Sequence, residues 1–414
     1  MPPSFEVPQE LIDVIVHFVD DTIVLATLST VATSFVSPCQ RRLFRALTLS
    51  PNPDKRLLPA VAKFSRALSL FTSSPHLASY VRQLTIILVR NEDPAEDPSD
   101  IAHVLERLFR LRSLVIKGCP VTLGSWADIP SGTATSLCAV LRRKPSFRSV
   151  EFTTIAGVPA SLLDYTIQTF PGLSMQIASI AHDDFRPLFP RDQSVPLKNA
   201  AYSLMELSLL EPRFPDRFCD FFLQPHYQNS LRSLQRLELL IAGYTIPDSG
   251  RLLRHSFAST LAHLVLVCYE PLLVSSSFIL PHLPALQTLE FRIEFAHPWY
   301  RSRWQHRTVA RVVPHLPTST PALQNLLFSV YYAHINPCRS GCPETLLESA
   351  AATATYPFDC ADYAQRLPCL RRVHCHIETP DRHTTQAGFS AEMRAVFSGP
   401  SEAGILRCAV SRSV

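Results

Sequence analysis

"LRSLQRLELL", residues 231–240, sets Leu234, Leu237 and Leu239 in an L-x-x-L-x-L phrase. The alternation at Leu237, Glu238 and Leu239 has the period of a β-strand, with the leucines on one face and Arg236 and Glu238 on the other. Working outward, the same phrase returns as "VRQLTIIL" with Leu84 and Ile86, "LRSLVIKGC" with Leu111, Leu114 and Ile116, and "FRSVEF" with Phe147, Val150 and Phe152. It continues as "LMELSLL" at Leu207, "LAHLVLV" at Leu264, "LPALQTLEF" at Leu289, "PALQNLLF" at Leu326 and "LPCLRRVHC" at Val373. "PGLSMQI" at Leu173 is a poor copy, and "RALTL" and "GILRCAV" read as members at the two ends.

From Leu84 through Leu114, Val150, Leu207, Leu237, Leu264, Leu289 and Leu326 the spacings are 30, 36, 57, 30, 27, 25 and 37 residues. Helix-like stretches fall between the phrases, near 57–71, 101–109, 162–170, 214–223 and 345–367. A strand and a helix in each such period predict an α/β leucine-rich-repeat solenoid, irregular in its units, with parallel strands on the concave face and helices on the convex face. Pro171, Pro284, Pro321 and Pro368 stand just before strand phrases, where a proline stops a helix and favours extended chain. The usual Asn after each strand is missing, and Cys119 is the clear match to that slot. A doubly wound α/β enzyme shares the alternation, but no glycine-rich phosphate loop follows any strand.

The first fifty residues read differently. Pro8 suits a first helical position, and Leu11, Ile12, Ile15, Val16 and Val19 recur at helical steps. Asp20, Asp21 and Thr22 offer capping chemistry for a second helix carrying Leu25 and Leu28, and Val31, Phe35, Cys39 and Leu43 space a third. Helices this short cannot hide so many apolar groups among themselves. This segment resembles an F-box, through Val7-Pro8 in place of the family's Leu-Pro and through Glu10-Leu11, Ile15, Leu28, Val31 and Phe35. It departs from the family in Phe35, where Trp is usual, and in Ala32-Thr33, where Cys-Arg is common. The resemblance implies an F-box-like module over residues 5–48 ahead of a leucine-rich-repeat-like array over 49–414. It further implies that Val7, Pro8, Leu11, Ile15, Leu28, Val31 and Phe35 contact a Skp-type adaptor and, through it, a cullin scaffold.

Composition sets bounds. The 414 residues are 46% hydrophobic and 18% charged, with a net charge of +4 from scattered arginines, which advertises neither a nucleic-acid nor a membrane surface. The N-terminus does not read as a signal peptide, and the longest apolar run, 264–280, is interrupted by Glu270 and Pro271. The 11 cysteines, without tight spacing, suit a reducing intracellular compartment, the cytoplasm or the nucleus. With 35 prolines and 11 glycines, the chain is punctuated by rigid breaks.

No nucleophile elbow, phosphate loop or zinc-protease pair is present, so the expectation is a protein that is not an enzyme and needs no cofactor. Cys338, Cys342, Cys369, His374, Cys375 and His376 include zinc-ligand types, but a strand over "RRVHCHI" sends His374 and His376 to one face and Cys375 to the other, so no metal is expected. The acidic stretches 91–100 and 182–185 lack calcium-loop spacing. What remains is recognition. Alternation puts Thr85, Val115, Lys117, Glu151, Glu206, Arg236, Glu238, Val265, Glu290, Arg292, Asn325, Arg372, His374 and His376 on the concave sheet face, a mixed-sign surface suited to a protein target. "EFAHPWYRSRWQHR", 294–307, adds Trp299, Tyr300 and Trp304, residue types enriched at interface hot spots. The expected function is substrate recognition in an SCF-type ubiquitin ligase. The alternative is a leucine-rich-repeat interaction scaffold with no ubiquitin role, whose first helices cap the array.

Overall fold

A computed structural model describes residues 7–50, 61–88, 98–118, 124–129, 131–143, 147–176, 178–180, 204–210, 215–241, 246–269, 280–295, 316–332, 367–378 and 385–411. The chain divides into two compact units, Met1–Ala200 and Ala201–Val414.

The first unit begins with three helices, α1 (Gln9–His17), α2 (Thr22–Val31) and α3 (Thr33–Leu43). Pro8 is the N-cap of α1. Asp21 caps α2, its carboxylate accepting from the amides of Ile23 at 2.7 Å and Val24 at 3.4 Å. Ala32 alone separates α2 from α3, in extended conformation. Pro38 lies inside α3 and has no N–H for the carbonyl of Ser34, and the side-chain amide of Gln9 donates to that oxygen at 3.3 Å instead. Arg42 of α3 ties the α1–α2 link, donating to the Val19 carbonyl at 3.1 Å and pairing with Asp20 at 2.5 Å. The interior is small: Ile12, Val16, Leu25 and Cys39, flanked by half-buried Val19, Leu28, Phe35 and Leu43.

The chain then enters a parallel sheet. Its strands are β1 (Ala46–Ser50), the two-residue β2 (Ala62–Lys63), β3 (Gln83–Leu88) and β4 (Ser113–Gly118). The two-residue β5 (Gly124–Ser125), β6 (Ser149–Thr153), the two-residue β7 (Ile155–Ala156) and β8 (Gly172–Gln176) complete the unit. The sheet order is β2-β1-β3-β4-β6-β8, with β5 and β7 pairing separately. Leu84, Ile86, Leu114, Ile116, Val150, Phe152, Leu173 and Met175 are buried on one face. They meet helices Phe64–Ser73, Pro98–Arg107, Ser131–Arg143 and Ala160–Thr169, which bury Phe64, Phe71, Ile101, Leu105, Leu137, Leu141, Leu162 and Ile167.

The second unit is a parallel sheet in strict chain order: β9 (Glu206–Leu210), β10 (Arg236–Ile241), β11 (His263–Tyr269), β12 (Thr288–Phe295), β13 (Asn325–Tyr332), β14 (Arg372–Glu378) and β15 (Leu406–Ser411). Leu207, Leu237, Leu264, Leu289, Leu326 and Val373 share one register row and are all buried. The predicted alternation of burial is present in β9, β13 and β14, whereas β11 is buried on both faces and β15 shows no alternation. The poor copy at Leu173 is β8 and lies inside the 57-residue spacing, and the two end phrases are β1 and β15. The helix expected at 57–71 begins, among described residues, at Phe64, and most of 345–367 lies outside the described residues.

One backbone contact recurs at the strand entrances. The carbonyl of Arg45 accepts from the consecutive amides of Arg82 and Gln83 at 2.9 and 3.0 Å; that of Arg82 accepts from Arg112 and Ser113; and that of Arg112 accepts from Arg148 and Ser149. In the second unit the carbonyls of Met205, Gln235, Ala262, Gln287 and Gln324 clasp the next strand in the same way. At β8 the first of the two donors would be Pro171, which has no N–H.

Candidate interaction surfaces

The first surface is on the N-terminal helices. Helix α1 turns Ile12 and Val16 inward, while its remaining apolar residues face out. Leu11 is 54% exposed and Phe18 78%, with Val7, Val14 and Ile15 also exposed. Ile23 at 75% and Val31 at 67% extend the apolar exposure onto α2, with Val24. Of the residues expected to meet an adaptor, Val7, Pro8, Leu11, Ile15 and Val31 are exposed, whereas Leu28 and Phe35 are half-buried against the module's own core. Val14, Phe18, Ile23 and Val24 are further exposed apolar residues that the motif comparison did not single out; they are legible only once the inward stripe is fixed at Ile12 and Val16. Helix α3 is tied to the residues that follow the module, with Ser37 and Tyr80 hydroxyls 3.5 Å apart and His76 Nε2 3.3 Å from Gln40 Oε1.

The second surface is the outward face of the strands. In the first unit Thr48, Thr85, Val115, Glu151 and Ser174 form one register row, and Lys117, Thr153 and Gln176 another. Thr153 donates to the Glu151 carboxylate at 2.7 Å. Val115 stands on this row but is buried.

In the second unit the expected residues also fall into rows. Glu206, Arg236, His263, Thr288, Asn325 and Arg372 form the first, and Ser208, Glu238, Val265, Glu290, Leu327, His374 and Arg407 the second. Leu240, Val267, Arg292, Ser329, His376 and Ala409 form the third. Their charges are largely spent on one another. Arg292 pairs with Glu238 and, at 3.5 Å, with Glu290; Ser208 donates to Glu238 at 3.0 Å. Arg236 donates to Nδ1 of His263 at 2.9 Å, which leaves Nε2 of that ring facing Glu290 at 3.9 Å. The hydrogen bond from His263, helped by Arg292 and opposed by burial, holds the Glu290 carboxyl below the usual range. Beside these, Leu240, Val265 and Val267 are a buried apolar cluster with Leu210 packed against it, so Val265 is not available as an open contact residue.

Toward β15, His376 Nε2 lies 2.9 Å from the Ser411 hydroxyl, and the rings of His374 and His376 are 6.5 Å apart. Burial, and then the neighbouring His376 and Arg372, lower the pKa of His374. Cys375 is buried on the other face of the strand, as alternation requires. Among the described residues no cluster of metal-ligating side chains occurs, and no helix is long and apolar enough to cross a membrane. Trp299, Tyr300 and Trp304 lie outside the described residues, as do Cys338 and Cys342.

Comparison with known proteins adds little. No family model matches the chain, and no curated protein matches it. One solved structure that is similar, titled "Crystal structure of Rad7 and Elc1 complex in yeast", has 13% identity and a TM-score of 0.24, covering 80% of this chain and 91% of that one. A likeness of that size carries no functional argument.

Proposed function

We propose that this chain is the substrate-recognition subunit of an SCF-type ubiquitin ligase, holding a Skp-type adaptor, and through it a cullin, on its N-terminal helices and a target protein on its strand faces. The observation that supports this is the apolar surface left open by α1 and α2, where Leu11, Ile15, Phe18, Ile23 and Val31 are all exposed. Fully burying one such side chain is worth about 1.5–3 kcal/mol, so covering several of them stabilises a complex. The chain itself catalyses nothing in this reading; it supplies proximity to a transfer carried out by other subunits.

The test is co-expression of the full chain with a Skp-type adaptor. The wild type is expected to co-purify with it, and Leu11→Asp together with Ile15→Asp to lose it while thermal unfolding is unchanged, because both positions are exposed. Phe35→Ala is a poorer probe, since Phe35 also packs on the Ile12 core. Retention of the adaptor by the double variant, or its absence from the wild type, defeats the proposal. The contacts of Ser37 and Gln40 with Tyr80 and His76 favour one alternative, an interaction scaffold whose first helices serve as an end cap for the strands, and that reading expects no adaptor at all.

A further inference from the structure

The strand entrances of the first unit carry arginine at one repeated position: Phe44-Arg45-Ala46-Leu47, Val81-Arg82-Gln83-Leu84, Leu111-Arg112-Ser113-Leu114 and Phe147-Arg148-Ser149-Val150. Because β1, β3, β4 and β6 are consecutive neighbours, and because each of these residues sits at the clasping carbonyl or its donor, the four stand in a single column. The same position in the second unit holds Met205, Gln235, Ala262, Gln287 and Gln324, and becomes arginine again only at Arg371. Arg45, Arg112 and Arg148 are exposed and Arg82 is half-buried. Burial, and then the adjacent Arg110, Arg112 and Arg45, lower the pKa of Arg82, whose guanidinium also donates to the Arg110 carbonyl at 3.2 Å. Among the described residues no carboxylate pairs with any of the four.

Like charges stacked with no counter-charge among the described residues repel, and the fold keeps them. Adjacent strands are about 4.8 Å apart, so the column is roughly 15 Å long, the span of about four or five extended residues. All four cations are arginine, whose planar fork takes a carboxylate on two parallel hydrogen bonds. The stripe is one residue wide. The next row is Ala46, Gln83, Ser113 and Ser149, and beyond it stand Thr85, Val115 and Glu151; neither carries a cation, so neither is a surface for a continuing phosphate backbone.

We infer that this arginine column docks an acidic stretch of the target protein, a run of Asp or Glu in extended conformation. The inference takes from the proposed function only that the strand array binds a target. It is tested on the full chain with fluorescein-labelled hexaglutamate, and with hexathymidylate as a phosphate-bearing counterpart. Hexaglutamate is expected to bind, to weaken as salt rises, and to bind about tenfold more weakly to Arg82→Gln/Arg112→Gln, since two Arg–carboxylate pairs are lost together. Hexathymidylate is expected to bind more weakly than the peptide. Because Arg82 donates to the Arg110 carbonyl, the stability control is Arg112→Gln alone, which without ligand should unfold at the same or a higher temperature, a change that a merely structural role would reverse. Arg371→Gln, at the corresponding position of the second unit, should leave peptide binding as it was. Absence of peptide binding, equal binding by the double variant, tighter binding of the oligonucleotide, or a comparable loss in Arg371→Gln overturns the inference. Adaptor capture reads a different surface, so a chain that binds hexaglutamate but no adaptor refutes only the ligase assignment.

Discussion

The two units handle charge on their sheets in opposite ways. On the second, Arg236, His263, Glu290, Arg292, Glu238 and Ser208 interlock across neighbouring strands, with Arg292 paired to both Glu238 and Glu290. On the first, Arg45, Arg82, Arg112 and Arg148 line up with no carboxylate pairing with them among the described residues. Charges that satisfy one another stabilise the fold and have little left for a partner; charges that only repel one another cost stability and are retained for something outside. The mixed-sign rows that looked most like a recognition face in the sequence are therefore, in the second unit, the more structural of the two surfaces.

That contrast can be broken by mutation. Arg292→Leu should cost the most, roughly 3 kcal/mol, because it removes the guanidinium from Glu238 and Glu290, whose side chains are only 13% and 12% exposed, and leaves them to Ser208 and His263; urea unfolding with unchanged slope would measure it. A loss below about 0.5 kcal/mol would mean the network is ornamental. Acid probes the same site with a defined sign. The folded carboxyl of Glu290 is held below its ordinary value of 4.5, so its contribution is complete above that pH and fades as pH falls through the lower folded value. The stability gap between wild type and Glu290→Gln should accordingly be constant near neutrality and narrow below about pH 4.5. Smallest is Arg112→Gln, which should change stability by no more than about 0.5 kcal/mol, and in the favourable direction. A loss as large as that of Arg292→Leu would erase the distinction between the two faces.

Much of the strand ladder was legible, for a physical reason. Alternation such as Leu237-Glu238-Leu239 is imposed directly by the pleat, so rows of side chains follow from spelling alone. The two-residue strands β2, β5 and β7 have no period to display and were invisible. Helix Ser131–Arg143 opens on Ser-Gly-Thr-Ala-Thr, residues that speak for turns, and only burial of Leu137 and Leu141 against its neighbours reveals its face. The arginine column was in plain view as Φ-Arg-x-Φ, with Φ an apolar residue, but cations spaced 37, 30 and 36 residues apart look scattered until the sheet stacks them. In the N-terminal helices, the exposure of Phe18 and Ile23 depended on which stripe the small core chose, a tertiary decision. The amide of Gln9 standing in for the N–H missing at Pro38 lies beyond any local rule.

The clasp that recurs at the strand entrances explains why so uneven a spacing coexists with so regular a ladder. A carbonyl that grips two successive amides sets where the following strand starts, whatever length of chain has been spent in between. Evolution is thereby free to lengthen or shorten the connecting arcs, and so to vary whatever those arcs display, without ever sliding one rung past another.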